Sequence, residues 1–267
     1  LKKMALWVRP DEFHQTFNFR FLDAGWDKAA LVSAINESFE AFDEVGAPST
    51  WVLNNHDVIR HVSRFGGDFG RTTASDGIGP DAVQPDNTLG LEKARAATLF
   101  MLGLPGASYL YQGEELGLPE HTNISPEHRQ DPTFARTSGQ RVGRDGARVP
   151  LPWTKGGTTN GFTSANSAWL PQPESFADLS RDQQTSADST LEMYKSSLKL
   201  RSELGLGEGS FSWTSTDAVL SYQNENVIVA HNFGEDSAKL PVGQLLMTSA
   251  PLNAGKLPAN VTAWVKV

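Results

Sequence analysis

The sequence predicts an α/β fold in which parallel strands alternate with helices, followed by a small antiparallel β domain. Over residues 1–205, short apolar stretches typical of strands alternate with stretches of helical periodicity, and this order favours a parallel sheet. After about Leu206 the pattern changes to short alternating runs separated by turn residues, as in antiparallel sheets. Polar side chains directly follow two of the apolar stretches, which is where parallel α/β folds place their functional groups.

The amino-terminal stretch predicts a strand followed by a helix. The strand is expected at residues 16–21, because phenylalanine recurs there at every second position. The helix is expected to begin after an N-cap at Asp27 and to carry apolar residues at helical spacing as far as Phe42. Gly46 and Pro48 are expected to end it.

The next elements continue the alternation. A short buried strand is predicted at residues 50–53, a helix at residues 91–102 and another apolar strand at residues 107–111. Ser189 and Glu192 form a capping-box pattern that predicts one more helix. The strands of the β domain are predicted at residues 218–222, 227–230, 245–248 and 261–267.

The composition limits the possible partners and the compartment. The chain of 267 residues has 23 basic and 31 acidic side chains, and its net charge of −8 argues against nucleic acid and anionic membranes as partners. It contains no cysteine, and no apolar run approaches the roughly 18 residues of a membrane span. We therefore expect a cytoplasmic protein. The chain opens at Leu1 without a recognisable signal peptide and is expected to begin within a longer protein.

The most informative residues are Asn54, Asn55, His56 and Asp57, four polar side chains that follow the strand predicted at residues 50–53. Reactive groups of parallel α/β folds converge where strands end, so Asp57 is a candidate functional residue. Taken alone, the segment also fits a simpler structure in which the asparagines form a turn and Asp57 caps a helix.

Two long irregular stretches follow the predicted strand ends. Residues 58–90 are rich in glycine, and residues 115–188 include five arginines between Arg129 and Arg148 as well as two tryptophans. Compact folds rarely keep such long loops without using them. Acidic residues, arginines and tryptophans near strand ends suggest carbohydrate chemistry, because carboxylates act on glycosidic bonds and aromatic faces pack on sugars. The tryptophans fit a role as loop anchors equally well.

Several stretches resemble the α-amylase superfamily (glycoside hydrolase family 13), specifically its α-glucosidase and oligo-1,6-glucosidase branch. They occur in the order of that family and cover most of residues 13–205. Taken jointly, they are a specific signal. The stretches are Asn54-Asn55-His56-Asp57 followed by residues 63–66 (SRFG), residues 104–118 (LPGASYLYQGEELGL), residues 143–153 (GRDGARVPLPW), and residues 161–162 (GF) with 169–171 (WLP).

The resemblance implies a fold and a domain organisation. Residues 1–205 would form the carboxyl-terminal part, about three strands, of the catalytic (β/α)8 TIM barrel. Residues 206–267 would form the antiparallel β domain that follows it.

The resemblance also implies roles for residues at matching positions. Asp57 would match the third carboxylate of the family, which is neither nucleophile nor acid but holds the sugar hydroxyls and favours the oxocarbenium-like state. His56 would hydrogen-bond the sugar at the same subsite, and Arg144 would bind the non-reducing glucose together with an acidic residue from an early barrel loop. Asn55 and Arg60 lie beside these residues and are expected to bind substrate.

The chain departs from the family in the two carboxyls that retaining glycosidases need, a nucleophile and a general acid/base. The nucleophile of the family lies in a Gly-x-Arg-x-Asp pattern, and the nearest match here, residues 139–143, ends in glycine. The acid/base glutamate is expected just upstream of Leu1. We therefore expect this chain to be inactive alone and to associate with an amino-terminal half of the barrel or with itself, because an incomplete barrel exposes apolar surface and strand edges.

These considerations predict the carboxyl-terminal part of a retaining α-glucosidase-type hydrolase that acts on the terminal α-linked glucose of oligosaccharides or disaccharides. A non-catalytic glucosidase-like scaffold or sugar-binding module is one alternative, and a transglycosylase or an isomerising relative is another. Glu114 and Glu115 are expected to be structural, because adjacent side chains on an extended segment point in opposite directions. The histidines have no spacing typical of ligands, so neither a metal site nor a cofactor is expected.

Overall fold

The computed structural model describes residues 1–69 and 76–267, which form two compact units. Within these ranges, no helix is both long enough and apolar enough to cross a bilayer. The first unit comprises Leu1–Leu53, Arg95–Tyr109 and Lys195–Val267, and the second comprises Asn54–Ala94 and Leu110–Tyr194.

The order of elements alternates helices and strands at first and ends in strands. The α-helices are α1 (Lys2–Ala5), α2 (Arg20–Asp23), α3 (Lys28–Asp43), α4 (His61–Phe65), α5 (Asn87–Leu102), α6 (Pro132–Arg136) and α7 (Thr190–Glu203). The strands are β1 (Thr50–Val52), β2 (Ala107–Tyr109), β3 (Ser212–Thr216), β4 (Val219–Asn224), β5 (Val227–Asn232), β6 (Gln244–Thr248) and β7 (Thr262–Lys266).

Strands β1 and β2 form the parallel pair that the sequence predicts. Thr50 pairs with Ala107, and Val52 pairs with Tyr109. The side chain of Trp51 is fully buried, and its Nε1 donates a hydrogen bond of 2.6 Å to the carbonyl of Pro105. The indole therefore fixes the chain just before β2 and satisfies its own buried donor.

The strand expected at residues 16–21 is absent from the structure, so this prediction is wrong. Instead, the Asn18 side chain accepts a hydrogen bond of 3.0 Å from the backbone of Arg20, the first residue of helix α2. Asn18 is itself buried and donates to Ser38 of helix α3 over 2.8 Å. A local side-chain hydrogen bond thus overrides the alternating pattern. The described residues accordingly show two parallel strands where the sequence suggested about three.

The predicted helices are present with shifted ends. The Asp27 side chain accepts a hydrogen bond of 2.8 Å from the backbone of Ala30, which confirms the N-cap of α3. Helix α5 begins at Asn87, one turn earlier than expected. The glycine-rich loop contains helix α4, which its composition did not indicate, and residues 70–75 of this loop lie outside the described residues.

The carboxyl-terminal strands form a five-stranded antiparallel sheet in the order β3-β4-β5-β7-β6. The four predicted strands are confirmed, and β3 was missed because serine and threonine dominate it. The sheet packs on the second half of helix α5. Trp264 Nε1 donates to the carbonyl of Leu99 over 2.9 Å, and the Tyr222 hydroxyl donates to the carbonyl of Phe100 over 2.5 Å.

Candidate active site

The polar segment that follows β1 forms a turn in the second unit. The Asn55 side chain accepts a hydrogen bond of 2.8 Å from the backbone of Asp57, as an Asx turn does. The simpler interpretation of the segment is thus correct for Asn55. It is wrong for Asp57, because helix α4 has its N-cap at Arg60 and no side chain caps it. The Asp57 side chain is 49% exposed and available for other contacts.

Asp57 is held by two arginines from one later loop. Its Oδ1 accepts hydrogen bonds from Arg144 Nη1 over 2.7 Å and from Arg148 Nη2 over 2.9 Å. Its Oδ2 lies 3.5 Å from His56 Nε2. The structure therefore brings together four of the five site residues expected from the sequence: the side chains of Asp57, His56 and Arg144 meet, and Asn55 binds the backbone of Asp57.

Arg148 was not among the residues expected at the site. Besides its contact with Asp57, its Nε donates to the carbonyl of His56 over 2.8 Å. It therefore holds both the side chain of one candidate residue and the backbone of the other. Arg148 lies within the GRDGARVPLPW stretch, so the motif contained the residue but gave no sign of its contacts.

A second carboxylate anchors Arg144 from the protein side. Asp131 Oδ2 accepts hydrogen bonds from the Arg144 backbone over 3.0 Å and from Arg144 Nε over 2.6 Å. The same oxygen lies 3.9 Å from Arg148 Nη1. Burial would raise the pKa of Asp131, but hydrogen bonds from Arg144 and Thr133 bring this pKa well below its usual range. Asp131 is thus a fixed negative charge, and its hydrogen bond raises the pKa of Arg144.

Arg60 has a different environment from the other expected substrate-binding residues. Its side chain is fully buried, its Nη1 donates to the carbonyl of Gln112 over 2.8 Å, and its guanidinium lies 5.2 Å from the centre of the Tyr111 ring. Burial lowers its pKa, whereas nearby Tyr111 and glutamates raise it. Its contacts connect two loops within the second unit rather than facing the open side of Asp57.

Two buried glutamates lie close to Arg60. Glu114 accepts hydrogen bonds from the Tyr111 backbone over 3.2 Å and from the Tyr194 hydroxyl over 3.3 Å. Glu120 accepts a hydrogen bond of 2.9 Å from the Arg60 backbone. Burial raises the pKa of Glu114 to about 8 and that of Glu120 to about 7. Both carboxyls therefore keep a large share of their protons near neutral pH.

Comparison with known proteins identifies a family model and several similar proteins. A model of the alpha-amylase catalytic domain matches residues 2–207. A probable alpha-glucosidase of Rhizobium meliloti is 28% identical over 244 residues, which are 88% of this chain and 40% of that protein. The oligo-1,6-glucosidase of Parageobacillus thermoglucosidasius is 26% identical over 282 residues, which are 91% of this chain and 46% of that enzyme.

Solved structures share the fold of this chain. The crystal structure of an alpha-glucosyl transfer enzyme is 28% identical, with a TM-score of 0.73, over 100% of this chain and 49% of that one. An isomaltulose synthase of Erwinia rhapontici NX5, crystallised with sucrose, shares the fold with a TM-score of 0.75 at 19% identity, over 99% of this chain and 53% of that one.

The chain thus spans less than half the length of the two curated relatives and about half of the two solved structures. The catalytic-domain model nevertheless covers most of the chain, including every residue of the site described above. The chain therefore belongs to the alpha-amylase family, and its curated relatives are α-glucosidases.

Proposed function

We propose that this chain is the carboxyl-terminal part of a retaining α-glucosidase that acts on the terminal α-linked glucose of oligosaccharides or disaccharides. The observation that carries the proposal is the half-exposed carboxylate of Asp57, held beside His56 by Arg144 and Arg148, in a chain whose relatives are named α-glucosidases. A scaffold has no need for an exposed carboxylate held by two guanidinium groups.

The proposed roles follow from the chemistry of glycoside hydrolysis. Asp57 holds sugar hydroxyls through hydrogen bonds that strengthen as positive charge develops on the ring. His56 and Arg144 offer hydrogen-bond donors to the same glucose, and Asn55 shapes the turn that presents them. Arg60 does not bind the sugar in this proposal; it stabilises the loop at Gln112 through a hydrogen bond to the carbonyl of that residue. The nucleophile and the acid/base come from strands outside this chain.

The amino-terminal half of the barrel is the partner we propose for the chain. The first unit exposes a series of large apolar side chains that includes Phe17 and Phe19, which stack on each other with ring centres 5.8 Å apart. Exposed apolar surface of this kind is typical of an interface. The side chains are Leu6, Trp7, Phe13, Phe17 and Phe19, each at least 45% exposed.

We expect the chain to self-associate when it is produced alone, because water is unfavourable for this apolar surface. Light scattering at increasing concentration should show dimers or larger species. The double variant Phe17→Ser, Phe19→Ser should shift the distribution towards monomer. Val242→Ser is a matched control, because Val242 is 93% exposed but belongs to the β domain. A wild-type chain that stays monomeric at every concentration contradicts the proposal.

The catalytic part of the proposal is tested by release of nitrophenol from p-nitrophenyl α-glucoside. The chain alone should show no turnover, and the chain combined with an amino-terminal barrel half of a related α-glucosidase should show it. Turnover by the chain alone would mean that one of its own carboxylates is the nucleophile. Sugar binding without turnover in the combined protein would favour the non-catalytic alternative.

Transfer of glucose is a second candidate function. The alpha-glucosyl transfer enzyme is 28% identical and is matched over 100% of this chain. Hydrolases and transglycosylases share the covalent glycosyl-enzyme and differ in whether water or a sugar attacks it. Chromatography of products formed from maltose separates the two functions: glucose alone indicates hydrolysis, and longer saccharides indicate transfer.

A further inference from the structure

Arg144 makes three hydrogen bonds to carboxylates, one from its backbone and two from its guanidinium. Its backbone N–H and its Nε both donate to Asp131, over 3.0 and 2.6 Å. Its Nη1 donates to Asp57 over 2.7 Å. The inner part of the side chain is therefore anchored to the protein, and the outer nitrogens are directed towards the half-exposed carboxylate.

The anchor is itself fixed by another buried carboxylate. Asp145 is fully buried, and its Oδ2 accepts hydrogen bonds from the backbones of Gln130 and Asp131, over 2.7 and 2.9 Å. Asp131 in turn binds the backbone of Arg144, the residue before Asp145. The loop at residues 130–131 and the loop at residues 144–145 thus hold each other, because a carboxylate of each accepts a backbone hydrogen bond from the other. We call this arrangement the carboxylate clasp.

The backbone and side-chain conformations are tightly restricted at the carboxylate clasp. Gly143 adopts a φ of +73°, and a Cβ atom added there would lie 2.8 Å from Asp131 Cγ. Asp131 is the N-cap of helix α6, and its Oδ1 accepts a hydrogen bond of 2.9 Å from the backbone of Thr133. The carboxylate is therefore fixed on both oxygens, and it presents a rigid acceptor to Arg144.

We propose that Asp131, held by Asp145, is a positioning residue that directs the outer nitrogens of Arg144 towards the glucose of the proposed site. Asp131 is fully buried, so it acts on the sugar only through Arg144. An unanchored arginine would lose side-chain entropy on binding the sugar, whereas this one has already lost it. The inference rests on the proposed function as far as the sugar is concerned, while the anchoring is a property of the chain alone.

The anchoring is tested by NMR of the arginine Nε–H groups in the purified chain. The Arg144 signal is assigned by its absence in Arg144→Lys. In the wild type this Nε–H should have a distinct chemical shift and exchange slowly with water. In Asp131→Asn its chemical shift should move to that of a solvent-exposed arginine, and its exchange with water should become fast. An Arg144 signal that is unchanged in Asp131→Asn overturns the proposal. This readout needs no sugar, so it stays informative even if the proposed function fails.

The effect on the sugar is tested by a double-mutant cycle in the chain combined with the amino-terminal barrel half, titrated with p-nitrophenyl α-glucoside. Asp131→Asn should weaken binding about tenfold or more, the range expected for a charged hydrogen bond, and should raise KM more than it lowers kcat. In an Arg144→Gln background, Asp131→Asn should add no further loss. Additive losses overturn the proposal. Absence of binding by the wild type would instead count against the proposed function.

Arg144→Lys provides a second route that does not depend on the folding of Asp131→Asn. Arg144 is 31% exposed, and the carboxylate clasp uses only its backbone N–H. The substitution therefore leaves the clasp in place. Lysine keeps the positive charge but has no Nε–H to anchor. We expect Arg144→Lys to weaken sugar binding as much as Arg144→Gln does. Wild-type affinity in Arg144→Lys would show that charge alone suffices and would refute a positioning role.

Discussion

Asp57→Asn should lower the turnover of the combined enzyme by a factor of about 10² to 10³, the loss seen when one group that stabilises transition-state charge is removed. The Asp57 carboxylate is the exposed negative charge of the site, whereas that of Asp131 is buried and neutralised by Arg144. Asparagine keeps the size of the side chain and one acceptor oxygen but removes the charge. The loss should therefore appear mainly in kcat, because the charge on the sugar develops only in the transition state.

The measurement is steady-state hydrolysis of p-nitrophenyl α-glucoside by the chain combined with its amino-terminal barrel half. Asp178→Asn is a suitable control, because Asp178 is 75% exposed and pairs with Lys155, which is not a residue of the candidate site. It should keep wild-type turnover. The predicted loss also differs from a folding defect, since Asp57 is half-exposed and its substitution leaves Arg148 bound to the carbonyl of His56. Wild-type kcat in Asp57→Asn would refute the role of this carboxylate.

The candidate site residues that the sequence indicated are those carried by motifs. Asp57 and His56 follow an apolar strand, and Arg144 lies in a specific stretch, so a pattern of residues sufficed to find them. Asp131 and Arg148 were missed, because each matters through an ion pair with a residue that is not its neighbour in the sequence. Asp131 is 13 residues from Arg144 along the chain, and Arg148 is 91 residues from Asp57. Such pairings are set by the folding of the loops, and no local periodicity encodes them.

In the fold too, elements with a repeated pattern of residues were predicted, whereas an element that depends on a single side chain was not. Helix α3 and the strands β4 and β5 were predicted because many residues repeat the same pattern in each of them. The expected strand at residues 16–21 failed because the buried side chain of Asn18 bonds to the backbone of Arg20 and to Ser38, and the chain turns into helix α2 at this point. Phe21 is buried there while Phe17 and Phe19 are exposed, so the three rings do not share one face.

The stability of the chain should fall as the pH rises from 6.5 to 8.5, and Glu114 should be the main cause. Its pKa is raised from 4.5 to about 8 by burial, so the folded state binds a proton that the unfolded state has already lost. The stabilisation by this proton is fully present below pH 4.5 and is lost as the pH rises through 8. Over the window from 6.5 to 8.5, Glu114 alone should remove about 2 kcal/mol. Glu120, with a pKa raised to about 7, should remove less than half of that amount.

Three histidines partly offset the glutamates within this window. Burial lowers the pKa of His61 and His231 to about 3 and that of His121 to about 4. Because these histidines are still half protonated in the unfolded chain at pH 6.5, their loss of protons up to pH 8.5 should restore roughly 1 kcal/mol of stability in total, which is less than the two glutamates remove. The chain has no cysteine, so no thiol titrates between pH 6.5 and 8.5.

Urea unfolding of the chain at pH 6.5, 7.5 and 8.5 measures the slope. Glu114→Gln should abolish the decrease in stability, because the contributions of Glu120 and of the three histidines nearly cancel. Glutamine is close in size and keeps an acceptor for the Tyr111 backbone or the Tyr194 hydroxyl, but it carries no proton to lose. Glu174→Gln replaces an exposed glutamate of the second unit and should keep the wild-type slope. A slope that is unchanged in Glu114→Gln would place the titrating proton on another group. A wild-type slope of zero would mean that water reaches the Glu114 carboxyl in solution, since only exclusion of water keeps the proton on this group at neutral pH.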